Sequence, residues 1–331
     1  MVRFVGQRLA AMVAIVLILA ATVFLLQKMS PLDPAHARLG GQASQSAIAA
    51  ERHVLGLDQP IVSQFGHYLV GLTHGDLGDS YRTRRPVLTD LQTYVPATLE
   101  LAAAGLLIAL VLAIVFAFLS TLKVRGAGLF RITLMLGASV PTFLLGIFGI
   151  LFFYQHLGWL PASGRTSISD APTGPTHFLT IDGLLNGRLD VAWDAILHLI
   201  LPATAIALGP AVAIGRVLRS SLDGELTGDY VRTARAKGLS ERRILFGHVL
   251  RNAVGAAISM TGLQVGLMFA GVLVVEQVFG WPGLGLYISE SIPVADFPAI
   301  AGVTLLLGSA YVVINAIVDL LQAAADPRIR V

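Results

Sequence analysis

The 331-residue chain contains no cysteine, which excludes disulfide bonds, thiolate nucleophiles and zinc–thiolate centres. Charged residues are also scarce, at 13% of the chain, whereas 55% of the residues are hydrophobic. This balance, together with a positive mean hydropathy, is typical of an integral membrane protein. The basic residues flank apolar runs and form no separate soluble patch, so the net charge of +3 does not indicate nucleic-acid binding.

The sequence also lacks the signatures of an ATP-hydrolysing or metal-dependent enzyme. The three lysines follow Gln27, Leu122 and Ala236, so none has the preceding glycine that a phosphate-binding P-loop requires. The His-Glu-x-x-His pattern is absent, and we interpret His67 and His74 as surface residues rather than metal ligands. The chain is therefore predicted not to be an enzyme and to bind no cofactor or metal itself.

Six apolar runs are long enough to cross a membrane as helices of about 20 residues. They comprise residues 9–26, 97–122, 132–154, 196–218, 253–275 and 299–321. The predicted fold class is therefore an all-α integral membrane protein with six transmembrane helices. A cleaved signal peptide is the alternative for the first run, but its 18 residues exceed a signal core of about 7–15, which favours a retained helix.

Three regions are predicted along the chain. Residues 1–29 hold an N-terminal segment and the first transmembrane helix. Residues 30–95 are too polar to span and too long for a simple connection, which indicates an extracytoplasmic subdomain with short helices at 47–55 and after Pro60. Residues 96–331 form a five-helix core, which includes a cytoplasmic loop at 220–252 between helices 4 and 5.

Prolines and one histidine give more local expectations. Pro96 is predicted to stand at the start of the second span, where its missing N–H costs nothing. Pro141 is predicted to kink the third span, and Pro202 and Pro210 to break the regularity of the fourth. His198, near the outer end of the fourth span, is interpreted as an interfacial residue.

The distribution of basic residues predicts the orientation. With the N-terminus in the cytoplasm and six spans, fifteen of the 23 Lys and Arg residues lie on the cytoplasmic side. Nearly all of the others lie in the two longest loops, which count least for orientation. Both termini are therefore predicted to be cytoplasmic.

The most highly charged stretch is DYVRTARAKGLSERRILFGHVLRN, residues 229–252. Its first part favours a helix with an acid at the start and bases later, and Gly238 then suits a left-handed helix C-terminus. Ser240 can cap a second helix, which carries the apolar residues Ile244, Leu245 and Val249. Two short helices joined at a glycine indicate a firm docking surface; a loop that serves only to orient the chain is the alternative.

Few polar side chains lie deep in the spans. Gly262 and Gly266 form a small-xxx-small face that is predicted to pack on another helix, while Gln264 and Asn315 are candidates for helix packing or for the transport pathway. Because the spans hold so few ionisable groups and show no inverted repeat, an ion-coupled secondary transporter is a remote alternative.

Residues 276–298, EQVFGWPGLGLYISESIPVADFP, are too irregular to cross lipid unprotected. We predict an extracytoplasmic hairpin, re-entrant or at the surface, that is buried against protein. Its candidate site residues are Glu276, Trp281, Pro282, Gly283 and Gly285.

Several of these segments resemble one family. DYVRTARAKGL with HVLRNA, VFGWPGLG and the terminal DPRIR are similar to the permeases of binding-protein-dependent ABC transporters, in the dipeptide/oligopeptide/nickel branch. Only Ala234 and Gly238 match the general Glu-Ala-Ala-x-x-x-Gly motif, and its closing Leu-Pro is absent. The resemblance implies that the loop inserts into a groove of an ATPase subunit, which Ala234 faces. The implied coupling residues are Asp229, Tyr230, Arg232, Thr233, Ala234, Arg235, Ala236, Lys237, Gly238 and Leu239.

The same resemblance implies a bacterial cytoplasmic (inner) membrane protein that works by alternating access. Its implied partners are a second homologous permease subunit, two ATP-binding subunits that carry the ATP and Mg, an extracytoplasmic solute-binding protein and membrane lipid, with no nucleic acid. The implied cargo is a di- or oligopeptide. Nickel, glutathione and opine-like solutes are the alternatives, since permease motifs do not separate them.

Overall fold

The computed structural model describes residues 2–29, 33–40, 43–121, 125–172 and 174–325, and all regular elements in this part of the chain are helices. The first seven are α1 (Val2–Met29), α2 (Pro34–Leu39), α3 (Gln45–Val54), α4 (Ile61–Thr73), α5 (Val87–Thr121), α6 (Ala127–Ala138) and α7 (Thr142–Gly149). The others are α8 (Leu179–Leu185), α9 (Leu189–Glu225), α10 (Asp229–Ala236), α11 (Glu241–Ile244), α12 (Leu250–Val278), α13 (Leu284–Ser291) and α14 (Phe297–Ala325). Two π-helical stretches, Ile150–His156 and Leu245–Val249, continue α7 and α11. The terminal DPRIR segment lies outside the described residues.

In the part of the chain that the structure describes, five helices are long and apolar enough to cross a membrane. They cover Ala10–Met29, Val87–Thr121, Leu189–Glu225, Glu241–Val278 and Phe297–Val318. A sixth candidate is the pair Ala127–Ala138 and Thr142–His156, whose two halves are bent by 110°. The all-α membrane fold is thus confirmed, while the number of six spans stays a prediction.

Pro141 produces a break rather than the predicted kink. It stands directly before α7 with φ −54° and ψ 140°, an extended conformation that ends the helical path after α6. Proline has no N–H to give to a preceding turn, and it disfavours the helical conformation of the residue before it. The third predicted span is therefore two helical pieces.

The other prolines behave in the opposite way. Pro96 was predicted to start the second span, but it lies inside α5, which begins at Val87. The 87–95 segment is helical because it has an inward apolar face: Val87 and Leu91 are buried. Pro202 and Pro210 likewise lie inside α9, which continues as a helix through both positions, and both are buried there. Packing offsets the hydrogen bond that each proline removes.

The contacts divide the chain into two compact units, one of residues 1–95 with 286–312 and one of residues 96–285 with 313–331. In the first unit, α1 packs on α4. The Phe24 ring lies 5.2 Å from that of Phe65 and 5.6 Å from that of Tyr68, so these two residues share the face of α4 that packs on α1.

Two buried carboxylates hold distant segments of this first unit together. Asp296 accepts hydrogen bonds from the Ser80 hydroxyl at 2.5 Å and the Arg82 backbone N–H at 3.1 Å. Asp90 accepts from the Thr83 hydroxyl at 2.6 Å and the Tyr287 hydroxyl at 2.9 Å. Hydrogen bonds to a buried carboxylate offset the loss of its contact with water, so both groups fix the local chain path.

The second unit is organised around α9, the helix with the most buried residues, and α12 packs along it. A Cβ on Gly262 of α12 would lie 2.4 Å from Val318 Cγ1 of α14, so the glycine lets these two helices approach closely. The helix against which Gly262 packs is therefore in the same chain.

Candidate functional site

The predicted left-handed glycine of the 229–252 loop is confirmed. Gly238 has φ +76° and follows directly after the end of α10. Its N–H donates to the Arg235 carbonyl at 2.9 Å, and the Leu239 N–H donates to the Ala234 carbonyl at 3.2 Å. These two bonds form a Schellman motif, which satisfies the last carbonyls of α10 and sets the direction of the chain beyond it.

The second short helix begins as predicted. The Ser240 hydroxyl accepts the Arg243 N–H at 3.4 Å and so caps α11. Arg235 of α10 donates to the Glu241 carboxylate of α11 at 2.7 Å. The two short helices on either side of Gly238 are thus joined by an ion pair. An exposed ion pair of this kind contributes little to the free energy of folding.

One face of the loop packs inward against its own chain. Val231 and Ala234 of α10 are buried in one cluster with Leu218 and Leu222 of α9. The predicted apolar residues of the second helix, Ile244, Leu245 and Val249, are buried in the same cluster. The expectation that Ala234 faces a partner's groove is therefore corrected: its three-residue spacing from Val231 places both on the inward face of α10.

The opposite face of the loop is polar and open. The exposed candidate residues are Asp229, Tyr230, Arg232, Thr233, Arg235, Ala236, Lys237 and Gly238, while Leu239 is half-buried. The Tyr230 hydroxyl donates to Glu225 at 2.6 Å, and burial together with this bond raises the pKa of Tyr230, so it remains protonated at neutral pH. Phe246 is also exposed and stacks on Phe118 at 5.3 Å between ring centroids. A rigid, mostly basic surface with an exposed aromatic ring can dock a protein partner.

The 276–298 segment was predicted to be buried against protein, and this holds for the part around Trp281 and Leu284, whereas Ile292 and Val294 are exposed. Trp281 is 1% exposed, and its indole N–H donates to the Ala97 carbonyl at 2.9 Å. The Leu284 N–H donates to the Thr98 hydroxyl at 2.8 Å. The segment differs from a simple hairpin, because Glu276 belongs to the last turn of α12 and a new helix, α13, starts at Leu284.

Glu276 shapes this turn from the inside. Its carboxylate is fully buried and accepts the Gly285 N–H at 2.5 Å. A Cβ on Gly283 would lie 2.2 Å from the same carboxylate, so only glycine leaves room for it. Pro282 precedes this glycine and helps to set the turn. The carboxylate thus works as a cap for the start of α13.

The remaining candidate residues, Gln264, Gly266 and Asn315, lie elsewhere in the second unit and are not part of the turn around Glu276. Gln264 is half-buried, and its amide lies 3.8 Å from the Met260 sulfur. Gly266 and Asn315 are half-buried. A packing or pathway role for these residues stays a prediction.

A charged cluster in the second unit was not found from the sequence. Glu100 is 5% exposed and forms an ion pair with Arg165 at 2.5 Å. It also accepts from the Thr180 hydroxyl at 2.6 Å and backbone N–H at 2.9 Å. The Arg165 guanidinium lies 5.8 Å from the centre of the Trp281 ring. The only sequence signal was a carboxylate at the edge of an apolar run, with an arginine 65 residues away.

His198, for which an interfacial position was expected, is buried inside the protein, and its depth in the membrane stays a prediction. It is 4% exposed; its Nδ1 lies 2.8 Å from the Asp194 backbone carbonyl, and its Nε2 lies 3.3 Å from the Ser167 hydroxyl. The Asp194 carboxylate also accepts from the Thr166 hydroxyl at 2.6 Å. These hydrogen bonds connect the loop after α7 to α9. They also give both ring nitrogens of the buried His198 a hydrogen-bond partner.

Two family models together cover nearly the whole chain. Residues 105–331 match the model described as "Binding-protein-dependent transport system inner membrane component". Residues 1–102 match the model of the N-terminal region of these membrane components. The chain therefore belongs to the family of binding-protein-dependent transport system inner membrane components, and it is a multi-pass membrane protein.

Curated relatives match over almost their full length. The chain is 41% identical over 326 residues to the probable D,D-dipeptide transport system permease protein of Escherichia coli, covering 98% of this chain and 96% of that protein. It is 35% identical over 332 residues to the dipeptide transport system permease protein of Alkalihalophilus pseudofirmus, covering 100% of both. It is 37% identical over 335 residues to the di/tripeptide transport system permease protein of Pseudomonas aeruginosa, covering 100% and 99%.

Proposed function

We propose that this chain is the permease subunit of an ATP-driven importer of dipeptides, and that the 229–252 loop couples it to ATP hydrolysis. The dipeptide cargo is supported by the names of three full-length relatives, all of which are dipeptide or di/tripeptide permeases. Membership of the family supports the permease role. The chain itself is proposed to be non-catalytic, with ATP and Mg bound by two ATPase subunits.

The observation that carries the coupling role is the continuity of the loop with the membrane helices. α11, its π-helical continuation and α12 form one helical run from Glu241 to Val278. α10 is fixed to the end of α9 by the buried Val231 and Ala234. A displacement of the exposed loop surface is therefore passed to α9 and α12 rather than absorbed by a flexible linker. This arrangement suits a part that converts the closure of an ATPase into helix movement.

The proposed assembly contains a second homologous permease and an extracytoplasmic solute-binding protein that delivers the peptide. Reconstituted with these partners and the two ATPase subunits, the chain is expected to accumulate radiolabelled alanyl-alanine in proteoliposomes only when ATP is supplied. The chain alone is expected neither to hydrolyse ATP nor to accumulate the peptide. Uptake by the isolated chain under a proton gradient would instead establish an ion-coupled carrier, and ATP-driven uptake of nickel but not of peptide would overturn the cargo.

We further propose that both termini and the 229–252 loop are cytoplasmic and that residues 30–95 are extracytoplasmic. Because the chain lacks cysteine, Ser46→Cys and Ser240→Cys give two proteins with one thiol each, and both positions are exposed. In intact cells an impermeant maleimide is expected to label the first variant and not the second. After membrane disruption both should react. The reverse pattern in intact cells would invert the topology.

A further inference from the structure

A cavity in the first unit lies at the end of the first candidate span. Its volume is about 1090 Å³, and α1, α3, α4 and the 76–81 segment contribute to its walls. Phe24, Gln27 and Lys28 line it from the last turns of α1, within the Ala10–Met29 span. The end of a membrane-spanning helix lies at the depth of the phospholipid headgroups, on whichever side of the membrane it emerges. The cavity therefore opens where headgroups are concentrated.

The charges that line this cavity are paired, with one exception of each sign. Arg52 forms an ion pair with Asp33, and Arg38 forms one with Asp79 at 3.0 Å. Among the residues that the structure describes, the lining residues Lys28 and Asp76 are in no ion pair. Lys28 binds the neutral Gln64 side chain and lies 5.5 Å from the centre of the Phe24 ring. Asp76 accepts only the Gly78 backbone N–H, at 2.9 Å.

Tyr68 adds a buried hydroxyl to this cavity. It lines the cavity, and its hydroxyl is buried with no hydrogen-bond partner among the described residues. Its ring packs on Phe24 at 5.6 Å, the same ring over which Lys28 lies. Burial raises the pKa of Tyr68 to about 12, so the hydroxyl carries its proton at neutral pH and can donate it to an oxyanion. An ammonium and a hydroxyl are thus placed around one aromatic ring.

We propose that this cavity binds the headgroup of a phospholipid that carries both a phosphate and a primary ammonium, of the phosphatidylethanolamine type. The phosphate is held by Lys28 and Tyr68, and the ammonium by Asp76. One unpaired positive and one unpaired negative group on the same cavity match a zwitterion better than an anion. Ile61 of α4, an exposed apolar side chain in the wall of the cavity, offers contact to the acyl chains.

The test uses the full-length, delipidated chain in detergent, titrated with phosphatidylethanolamine or phosphatidylcholine and followed by native mass spectrometry. The choline headgroup keeps the phosphate but cannot donate hydrogen bonds from its nitrogen. The wild-type protein is expected to bind the ethanolamine lipid about tenfold more tightly, as for one charge-assisted hydrogen bond. Equal binding of the two lipids would overturn the proposal.

Four variants test which group binds which part of the headgroup. Lys28→Met is expected to weaken the binding of both lipids about tenfold, and Tyr68→Phe by a smaller factor. Asp76→Asn should remove the preference for ethanolamine, because it weakens the binding of phosphatidylethanolamine more than that of phosphatidylcholine, whose nitrogen is charged but donates no hydrogen bond. Lys28→Arg should retain binding, which shows that the charge and not the fold is responsible.

The matched controls are Arg188→Gln and Tyr230→Phe, which remove a surface cation and a partnered hydroxyl outside the cavity. Both should bind lipid like the wild-type protein. If Lys28→Met and Tyr68→Phe are indistinguishable from these controls, the cavity is not the lipid site. Displacement of the bound lipid by free alanyl-alanine, lost in Lys28→Met, would reassign the cavity to the peptide cargo.

Discussion

A Gly238→Val substitution is expected to abolish the stimulation of ATP hydrolysis by peptide-loaded binding protein in the reconstituted complex. Gly238 has φ +76°, and a residue with a Cβ costs about 1–2 kcal/mol in this left-handed region, a β-branched residue more. Nothing lies within 4 Å of the added Cβ, so the strain comes from the backbone alone. The chain can relieve it only by giving up the Schellman bonds, which redirects α11 relative to α10. A free-energy cost of this size corresponds to a decrease of about tenfold or more in the stimulated rate of ATP hydrolysis.

Two further variants separate this explanation from a general loss of folding. Gly238→Asn should retain most of the stimulation, because asparagine is the residue that best tolerates the left-handed region after glycine. Ser221→Val, a bulky change upstream in α9, should be mild. Expression and association with the second permease should be normal in all three proteins. Normal transport by Gly238→Val would show that the loop only orients the chain.

The second large effect is expected for Gly285→Ala, which should prevent the accumulation of folded protein. A Cβ at this position would lie 2.3 Å from the Leu273 carbonyl oxygen and 2.6 Å from its Cα, and backbone atoms of a buried helix cannot turn aside. Overpacking of a core costs about 1–3 kcal/mol where side chains can adjust, and we expect the upper end or more here. The same displacement would pull the Gly285 N–H from the buried Glu276 carboxylate.

The matched control for this substitution is Gly255→Ala in α12. Nothing lies within 4 Å of a Cβ there, and alanine favours the interior of a helix over glycine by about 0.5–1 kcal/mol. Thermal unfolding of the purified proteins in detergent should show a strongly lowered midpoint, or no folded protein, for Gly285→Ala. The control should have an unchanged or slightly raised midpoint. Equal midpoints for the two variants would contradict the close contact with Leu273.

The features that the sequence predicted well depend on local interactions. The left-handed Gly238 and the Ser240 cap follow from residue types whose backbone preferences act within one turn. The inward face of α10 could have been predicted from helical spacing, since Val231 and Ala234 are three residues apart in an otherwise mostly polar helix.

The features that were missed depend on packing between distant segments. Pro141 breaks a helix while Pro202 lies inside one, and no local preference separates the two cases. The ion pair of Glu100 with Arg165 joins residues that are 65 positions apart. The sequence placed the carboxylate near the end of a span, but it held no information about which loop returns to it.

The hydrogen bond between Ser80 and Asp296 also bears on the order in which the protein is made. Its two residues are 216 positions apart, and the first unit needs residues 286–312 for completion. During synthesis, residues 43–95 therefore cannot complete their packing until nearly the whole chain has been made. Until then, the Asp90 carboxylate lacks the Tyr287 hydroxyl that it binds in the finished structure. Nascent chains that stop before residue 286 carry an unfinished first unit, which chaperones and proteases of the membrane can recognise.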